Sequence, residues 1–272
     1  MRIIVLLVFI SGGVVAKGQQ RFTVDTKVDS ARFAQSRAVL NALPAVPFTK
    51  HIYKVDSNTI PYRLLQPKQY EARKKYPLII ALHNSSRLGD DNEQQLEPLT
   101  RIWLRDEIAG KYPAFVLAPQ FKKRSSVYTG KDSLLFSHPS DDVPALLKLI
   151  HELEAQHSSI DLNRVYLVGY SMGASTAQNL LSLEPDHFAA IVSVAGVPDT
   201  QAIEKMKKKN ILLIHGKMDT ENPYSGSEYL YNRLKGNRKL SFYTYSNLDH
   251  NNITIPFLLS AMIPDWLFKQ KK

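Results

Sequence analysis

The stretch that most constrains the fold is Gly169-Tyr170-Ser171-Met172-Gly173, which directly follows the apolar run 165–168. A strand that passes through G-x-S-x-G into a helix must turn sharply at the serine. The two glycines leave space where other side chains would collide with the strand or with the helix. Such a turn lifts the Ser171 hydroxyl clear of the sheet, so the pattern predicts an accessible nucleophile.

Length and composition are those of a globular protein with one large core. The chain has 272 residues, of which 44% are hydrophobic and 22% are charged, and chains of this size commonly form a single α/β domain. It contains no cysteine, which excludes disulfides, thiolate metal sites and a cysteine nucleophile. No pair of histidines or of acids shows metal-ligand spacing, so we predict neither a metal nor a cofactor.

The N-terminus has the pattern of a secretory signal. Arg2 precedes an apolar run at 3–10, and small residues follow at 11–16. We therefore predict a signal peptide at 1–18, cleaved after Ala16 or Gly18, and export to the periplasm or the medium. The alternative is an uncleaved anchor, for which the run is short. After cleavage we expect no stable membrane insertion, a leader at 19–47 and a catalytic domain at 48–272.

The charge distribution predicts no nucleic-acid partner. The formal net charge is +10, and removal of Arg2 and Lys17 with the signal leaves 10 − 2 = +8. The basic residues form short scattered clusters without interleaved aromatic residues, a pattern typical of solvated surface. Attraction to an anionic polymer or membrane surface is the alternative interpretation.

Apolar runs alternate with helical patterns after residue 47, which predicts a mostly parallel sheet of eight strands with helices on both faces. The predicted strands are 48–55, 59–66, 76–82, 115–118, 165–168, 190–194, 211–214 and 240–245. The predicted helices are 30–42, 93–108, 141–157, 172–183, 225–234 and 255–268. The connection 120–140 shows no periodicity, and it is either a substrate wall that includes Tyr128 and Phe136 or a surface excursion.

A serine hydroxyl needs a base to accept its proton, and the base needs a carboxylate to orient it. In chains with this serine motif the acid comes next and the histidine last. Asp219 follows the predicted strand 211–214, and His250 follows the predicted strand 240–245. Carboxyl ends of parallel strands share one edge of a sheet, so we predict that Ser171, Asp219 and His250 converge there.

Other acids and histidines of the chain could fill the same roles. Glu221 is the first alternative to Asp219, and Asp199 is the second. His83 and His215 also follow strands, but neither stands last in the order, so we predict that they are buried or brace loops. The remaining histidines are predicted to lie on the surface or in loops, namely His51, His138, His151, His157 and His187.

Several motifs together resemble the secreted α/β-hydrolases of the predicted-peptidase and esterase group, which are related to feruloyl esterases and polyhydroxybutyrate depolymerases. The resemblance rests on Leu88-Gly89-Asp90-Asp91-Asn92, Ala118-Pro119-Gln120, Gly169 to Gly173, His215-Gly216-x-x-Asp219 and Asp249-His250, and it extends from about Phe48 to the C-terminus. It implies the α/β-hydrolase fold and hydrolysis of carboxylic esters through an acyl-enzyme on Ser171. His250 would be the base and then the acid.

The resemblance also implies an oxyanion hole made by the backbone N–H groups of Met172 and Ser85. Asn84 and Ser86 stand where relatives have glycines, so the second donor is either Ser85 or Ser86, or it is differently aimed, in which case activity on common esters would be weak. Gln120 and Tyr170, which lie within the shared motifs, are predicted to contact substrate.

The leading hypothesis is an exported serine esterase that acts on small or polysaccharide-linked acyl groups. One alternative is a serine peptidase that acts on short peptides with the same catalytic residues. Another is an inactive member of the fold that binds a cell-surface polymer.

Overall fold

The computed structural model of this protein describes residues 18–26, 30–131 and 133–272. The predicted signal at 1–18 therefore lies outside the described residues, except for Gly18. Within the described part of the chain, no helix is both long and apolar enough to cross a membrane.

Eleven strands are present among the described residues. They are β1 (Gln20–Val24), β2 (Phe48–Val55), β3 (Asn58–Leu65), β4 (Tyr76–Leu82), β5 (Phe115–Pro119), β6 (Ser126–Lys131), β7 (Leu134–Pro139), β8 (Ile160–Tyr170), β9 (Ala190–Val194), β10 (Asn210–Gly216) and β11 (Leu240–Tyr245). The α-helices are α1 (Ser30–Ala42), α2 (Pro98–Arg101), α3 (Asp106–Lys111), α4 (Asp142–Gln156), α5 (Met172–Leu183), α6 (Ile203–Met206), α7 (Tyr224–Arg233), α8 (Ile255–Leu258) and α9 (Met262–Leu267). Two 3₁₀ turns occupy Ser85–Arg87 and Ile102–Leu104.

The central sheet has nine strands in the order β1-β11-β10-β9-β8-β4-β5-β3-β2. β2 and β3 form an antiparallel hairpin, β3 is antiparallel to β5, and every other neighbouring pair is parallel. All eight predicted strands are present in it. The ninth strand, β1, corrects the prediction of eight.

The segment 19–47, predicted as a leader, belongs to the same fold. β1 adds a parallel strand to the edge of β11, with Gln20 opposite Ser241 and Val24 opposite Tyr245. Its residues are mostly exposed, so the strand lacks the continuous apolar pattern by which the inner strands were predicted. α1 has the predicted bounds, and its Leu40 is fully buried.

Helices cover both faces of the sheet. Alternate residues of β4 enter two separate apolar clusters: Leu78, Ile80 and Leu82 join one, and Ile79 and Ala81 join the other. This two-residue alternation places the clusters on opposite faces. One cluster includes residues of α4 to α7, and the other includes residues of α1 to α3, α8 and α9.

The connection 120–140 contains a hairpin that was not predicted. β6 and β7 pair antiparallel and pack against α5. The hairpin directs polar groups at the helix: Ser125 Oγ lies 2.7 Å from Thr176 Oγ1, and Ser126 Oγ donates to Asn179 Oδ1 at 2.8 Å. Because its buried face is polar, these strands show no apolar alternation in the sequence.

Two predicted helices are interrupted at prolines. In the 93–108 segment, Glu97 precedes Pro98 and has an extended conformation, with ψ 168°. A residue before proline disfavours the helical region, so α2 begins only at Pro98. In the 255–268 segment, Pro264 lies in the first turn of α9. A proline inside a longer helix would lack its hydrogen bond and clash with the preceding turn, which separates α8 from α9.

Candidate active site

Ser171 lies at the turn between β8 and α5, in the strained backbone that the motif predicts. Its φ is 55° and its ψ is −121°, values that are unfavourable for a residue with a side chain. A Cβ on Gly169 would lie 2.2 Å from the backbone of Gly173, and a Cβ on Gly173 would lie 2.0 Å from the carbonyl oxygen of Leu82. Both glycines are therefore required where strand and helix approach one another.

The structure brings Ser171, Asp219 and His250 together in one hydrogen-bonded chain. His250 Nε2 lies 2.8 Å from Ser171 Oγ, and His250 Nδ1 lies 2.7 Å from Asp219 Oδ2. Since a carboxylate can only accept, Nδ1 carries the proton and Nε2 is free to accept one from the serine. The three residues follow the carboxyl ends of β8, β10 and β11, at the shared edge predicted from the sequence.

The Asp219 carboxylate has four donors. Oδ2 accepts from His250 and also lies 3.1 Å from His215 Nε2, while Oδ1 accepts from the backbone N–H groups of Glu221 and Asn222 at 3.0 and 2.9 Å. Burial opposes ionisation, but the hydrogen bonds from the two histidines outweigh it and hold the pKa of Asp219 well below its ordinary value. Asp219 is therefore ionised at neutral pH.

The alternative acids lie elsewhere. The exposed Glu221 approaches His250 on its Nε2 side, at 3.9 Å, and not on the Nδ1 side. Asp199 accepts from Asn179 Nδ2 at 2.7 Å and from the Gln201 N–H at 2.8 Å. Of the three carboxylates considered, Asp219 is the one in position to orient His250.

His83 and His215 are fully buried and brace loops, as predicted. The His83 ring lies 2.8 Å from the Asn84 carbonyl through Nδ1 and accepts from the Phe121 N–H at 3.1 Å through Nε2. Burial lowers the pKa of His83 to about 4, so the ring is neutral. His215 holds Asp219 through Nε2, while its Nδ1 lies 2.7 Å from Ser227 Oγ. The contact between His215 and Asp219 was not predicted, although their spacing in the sequence is a signal that could have suggested it.

The loop after β4 offers a second oxyanion donor. Met172 is the first residue of α5 and Ser85 is the first residue of a 3₁₀ turn, and N–H groups in a first turn have no partner within their own helix. The Ser86 N–H, in contrast, donates to Asn84 Oδ1 at 2.8 Å. Of the two donors left open by the sequence, Ser85 is thus the one whose N–H the loop leaves unused.

The loop does not need glycine at positions 84 and 86, where this sequence has Asn84 and Ser86. Asn84 has a φ of −78°, and Ser86 is not among the residues with positive φ. Asn84 instead caps the 3₁₀ turn, since its side chain accepts from Ser86 and donates to Glu97 Oε2. Both side chains therefore fit the loop without a positive φ.

Glu97 is a buried carboxyl group beneath this loop that sequence reasoning missed. Its side chain lines the cavity next to Ser171, but the residue is only 4% exposed. Burial raises the pKa of Glu97 to about 7, against the opposing effects of Arg87, Asn84 and Arg37. No sequence motif around Glu97 indicates that its side chain is buried. Its placement follows from the extended conformation that Glu97 adopts as the residue before Pro98.

A cavity of about 190 Å³ opens above Ser171. Arg37, Arg87, Glu97, Tyr170 and His250 are among its lining residues, so its wall is largely polar. Tyr170, for which substrate contact was predicted, lines the cavity, and its hydroxyl donates to the His250 carbonyl oxygen at 2.7 Å. It therefore forms part of the wall and also holds the loop that carries the histidine.

Gln120 is not where the substrate-contact prediction placed it. It is fully buried and does not line the cavity. Its Oε1 accepts from the Asn92 N–H at 2.6 Å, and its Nε2 donates to Asp91 Oδ1 at 2.9 Å. Gln120 thus braces the loop after β4. Tyr128 and Phe136 do not line the cavity either, so the described part of 120–140 is not its wall.

Comparison with known proteins finds matches in fold. Residues 136–248 match the family model of the α/β-hydrolase fold. The crystal structure of a thermostable esterase superposes with a TM-score of 0.74 at 28% sequence identity, covering 84% of this chain and 64% of that one. No curated protein sequence matches the chain.

Two further solved structures share the fold at lower identity. A putative dipeptidyl aminopeptidase IV from Bacteroides ovatus has a TM-score of 0.59 at 17% identity, with 82% of this chain and 36% of that chain covered. A serine hydrolase homologue from Coxiella burnetii has a TM-score of 0.54 at 15% identity, with 81% and 96% covered. The chain thus spans less than two thirds of the esterase and about a third of the peptidase. The matches confirm the fold class predicted from the sequence.

Proposed function

We propose, on the premise that the chain has the α/β-hydrolase fold, that this protein is an exported serine hydrolase that cleaves carboxylic esters. The observation that carries the proposal is the chain of hydrogen bonds from Ser171 through His250 to Asp219, which ends at a cavity. This arrangement supplies a nucleophile, a base and an orienting carboxylate.

In the proposed reaction, His250 Nε2 takes the Ser171 proton as the serine oxygen attacks the ester carbonyl carbon. The negative oxygen that forms is stabilised by the N–H groups of Met172 and Ser85. His250 then gives its proton to the departing alcohol, which leaves the acyl group on Ser171. A water molecule, deprotonated by His250, releases the acid and restores the serine. Asp219 remains ionised and stabilises the imidazolium in both steps.

Cavity size and resemblance together favour a small acyl group. A space of about 190 Å³ is below the range of about 300–1,000 Å³ common for drug-sized ligands. The sequence motifs resemble those of feruloyl esterases and polyhydroxybutyrate depolymerases, and the first of the similar structures is named as an esterase. The proposed substrate is therefore a small-molecule or glycan-linked ester, not a nucleic acid.

A serine peptidase is the second candidate, because solved structures named as peptidases share this fold. The same three residues would cleave an amide, so only the substrate separates the candidates. An inactive protein that binds a polymer is the third candidate, and it predicts no reaction at Ser171.

The direct test is labelling with a fluorophosphonate probe followed by turnover assays. We expect the wild-type protein to be labelled and Ser171→Ala to be unlabelled. Ser182→Ala, which changes a serine at the other end of α5, should be labelled to the same extent as wild type.

Turnover assays then separate the two enzyme candidates. Faster turnover of p-nitrophenyl acetate and feruloyl esters than of aminoacyl anilides identifies the esterase. Folded protein that is not labelled contradicts both enzyme candidates.

Export is a part of the proposal that rests on residues 1–18 alone. Mass spectrometry of the protein from periplasm or medium should find an N-terminus at Lys17 or Gln19. An intact Met1 on membrane-bound protein would contradict cleavage.

A further inference from the structure

Four side chains far from Ser171 form what we call the His–Glu cluster: His151, Glu154, Glu184 and His187. The first two lie in the last turns of α4, and the other two follow α5. Ser171 and Glu184 flank the two ends of α5 and are 13 residues apart, so at 1.5 Å per residue the cluster is about 20 Å from the serine along the helix. It is therefore separate from the proposed active site.

In the structure, each of the two imidazoles contacts both of the carboxylates. His151 Nε2 lies 2.9 Å from Glu184 Oε2, and His187 Nε2 lies 2.9 Å from Glu154 Oε1. The crossed contacts use the other nitrogen of each ring and are longer, at 3.7 Å from His151 Nδ1 to Glu154 Oε2 and 4.0 Å from His187 Nδ1 to Glu184 Oε2. The two imidazole rings are 4.5 Å apart and nearly perpendicular. Ligand atoms of His151, Glu184 and His187 all lie within 4.8 Å of one another.

These separations suit a small cation with four ligands. Bonds of about 2.0–2.2 Å from zinc to nitrogen or oxygen in a tetrahedron place neighbouring ligand atoms about 3.4 Å apart. With one ligand atom from each residue, His151, Glu184 and His187 lie within 4.8 Å of one another, so modest side-chain rotations would bring these three to coordination distance. Glu154 Oε1, which lies 2.9 Å from His187 Nε2, is the candidate for the fourth ligand.

Charge and burial also fit a divalent cation. Among the described residues, the ion-pair partners of both carboxylates are the two imidazoles of the cluster, while Lys272 acts on Glu154 only at longer range. With neutral imidazoles the cluster carries two negative charges, which one divalent cation would balance. The Glu154 and His187 side chains are 8% and 14% exposed, whereas those of His151 and Glu184 are 47% and 36% exposed. The site thus has a buried side and an open side through which an ion can enter.

We propose that His151, Glu154, Glu184 and His187 bind Zn²⁺ in a tetrahedral site that joins the end of α4 to the segment after α5. Two imidazoles and two carboxylates are ligands that zinc accepts. The sequence prediction of no metal site considered histidine pairs and acid pairs, and here each segment contributes one histidine and one acid. The bound ion would act as a cross-link in a chain that has no cysteine for disulfides.

The test measures zinc binding to the untagged full-length protein after chelator treatment. Isothermal titration with ZnCl₂ should give one site per chain, and zinc should raise the melting temperature. Co²⁺ should give the strong visible absorption of a tetrahedral complex. Loss of second-shell partners alone weakens metal sites by about 10–100-fold, so His151→Ala with His187→Ala should weaken zinc binding by at least about 100-fold.

Matched variants keep the test decisive. Glu154→Gln with Glu184→Gln preserves the shape of the cluster and should also weaken binding, with circular dichroism to verify folding. His138→Ala with His157→Ala removes two histidines outside the cluster and should leave zinc affinity unchanged. Fluorophosphonate labelling of Ser171 should proceed at the same rate with and without zinc. No zinc binding by the folded wild type, or equal affinity in cluster and control variants, overturns the proposal.

Discussion

Asp219 lies between two imidazoles, and only one of them reaches Ser171. His250 contacts both the serine and the carboxylate, whereas His215 is held by Ser227 and fixes the carboxylate from the other side. The two imidazoles therefore fix the orientation of the Asp219 carboxylate in the absence of substrate. Its catalytic contribution depends on its ability to accept from His250 Nδ1.

Asp219→Asn should lower kcat by about 10³–10⁴-fold, because an amide that donates to Nδ1 favours the wrong tautomer of His250. The measurement is kcat for p-nitrophenyl acetate at pH 7 to 8. Glu221→Gln alters the exposed acid on the Nε2 side, which does not contact Nδ1 and so does not set the tautomer, and kcat should stay within about 3-fold of wild type. A large loss in Glu221→Gln together with an active Asp219→Asn would assign the acid to Glu221.

Asn84 links the loop after β4, which carries the proposed oxyanion donor Ser85, to the buried Glu97. Asn84→Ala removes both of these hydrogen bonds and frees the Ser85 N–H to change direction, so we expect kcat to fall by about 10-fold or more with a smaller change in KM. Ser86→Ala removes only a hydroxyl that bonds to Asn84 and should have little effect. Equal kcat in wild type and Asn84→Ala would show that Asn84 does not position a donor.

The turn from β8 into α5 leaves no room for a side chain at Gly173. Gly173→Ala would place a Cβ 2.0 Å from the Leu82 carbonyl oxygen. Since backbone must move, we expect a loss of several kcal/mol in unfolding free energy, or no folded protein. Gly110→Ala is the matched control, because it lies within α3 with nothing within 4 Å of the added Cβ. It should be neutral or stabilise by up to about 1 kcal/mol. Urea denaturation measures both, and equal stabilities would contradict the close approach.

The elements that could be predicted from sequence are those whose signals are local. The inner strands are buried on both faces and therefore appear as continuous apolar runs, as β4 does with seven buried residues. The contacts of Ser171, Asp219 and His250 were predictable because parallel strands bring their carboxyl ends to one edge.

The elements that were missed depend on tertiary partners. β1 is a strand only because β11 has a free edge, and β6 and β7 direct polar groups toward polar groups of α5. The burial of Glu97 and the pairing within the His–Glu cluster likewise arise from segments distant in the sequence. Local patterns carry no signal for such contacts.

Two buried carboxyl groups in and beside the proposed active site, Asp219 and Glu97, make the stability of the protein depend on pH with opposite signs. The native pKa of Asp219 is lowered, so its contribution to stability is present above its ordinary value of 3.8 and is lost as the pH falls. The native pKa of Glu97 is raised from 4.5 to about 7. The protein therefore loses stability in acid through Asp219 and loses stability between pH 4.5 and 7 through Glu97.

Between pH 4.5 and 7, the native state keeps a proton on Glu97 that the unfolded chain has already released. The free energy of unfolding must then fall as the pH rises, by at most about 1.4 kcal/mol per pH unit from this group. Glu97→Gln keeps an acceptor for Asn84 but cannot ionise, so the variant should gain stability relative to wild type across this range and hold the gain above pH 7. Urea denaturation of both proteins from pH 4.5 to 8 measures the difference. A difference that does not change with pH would mean that Glu97 ionises at its ordinary value, and that the buried carboxyl is charged at neutral pH.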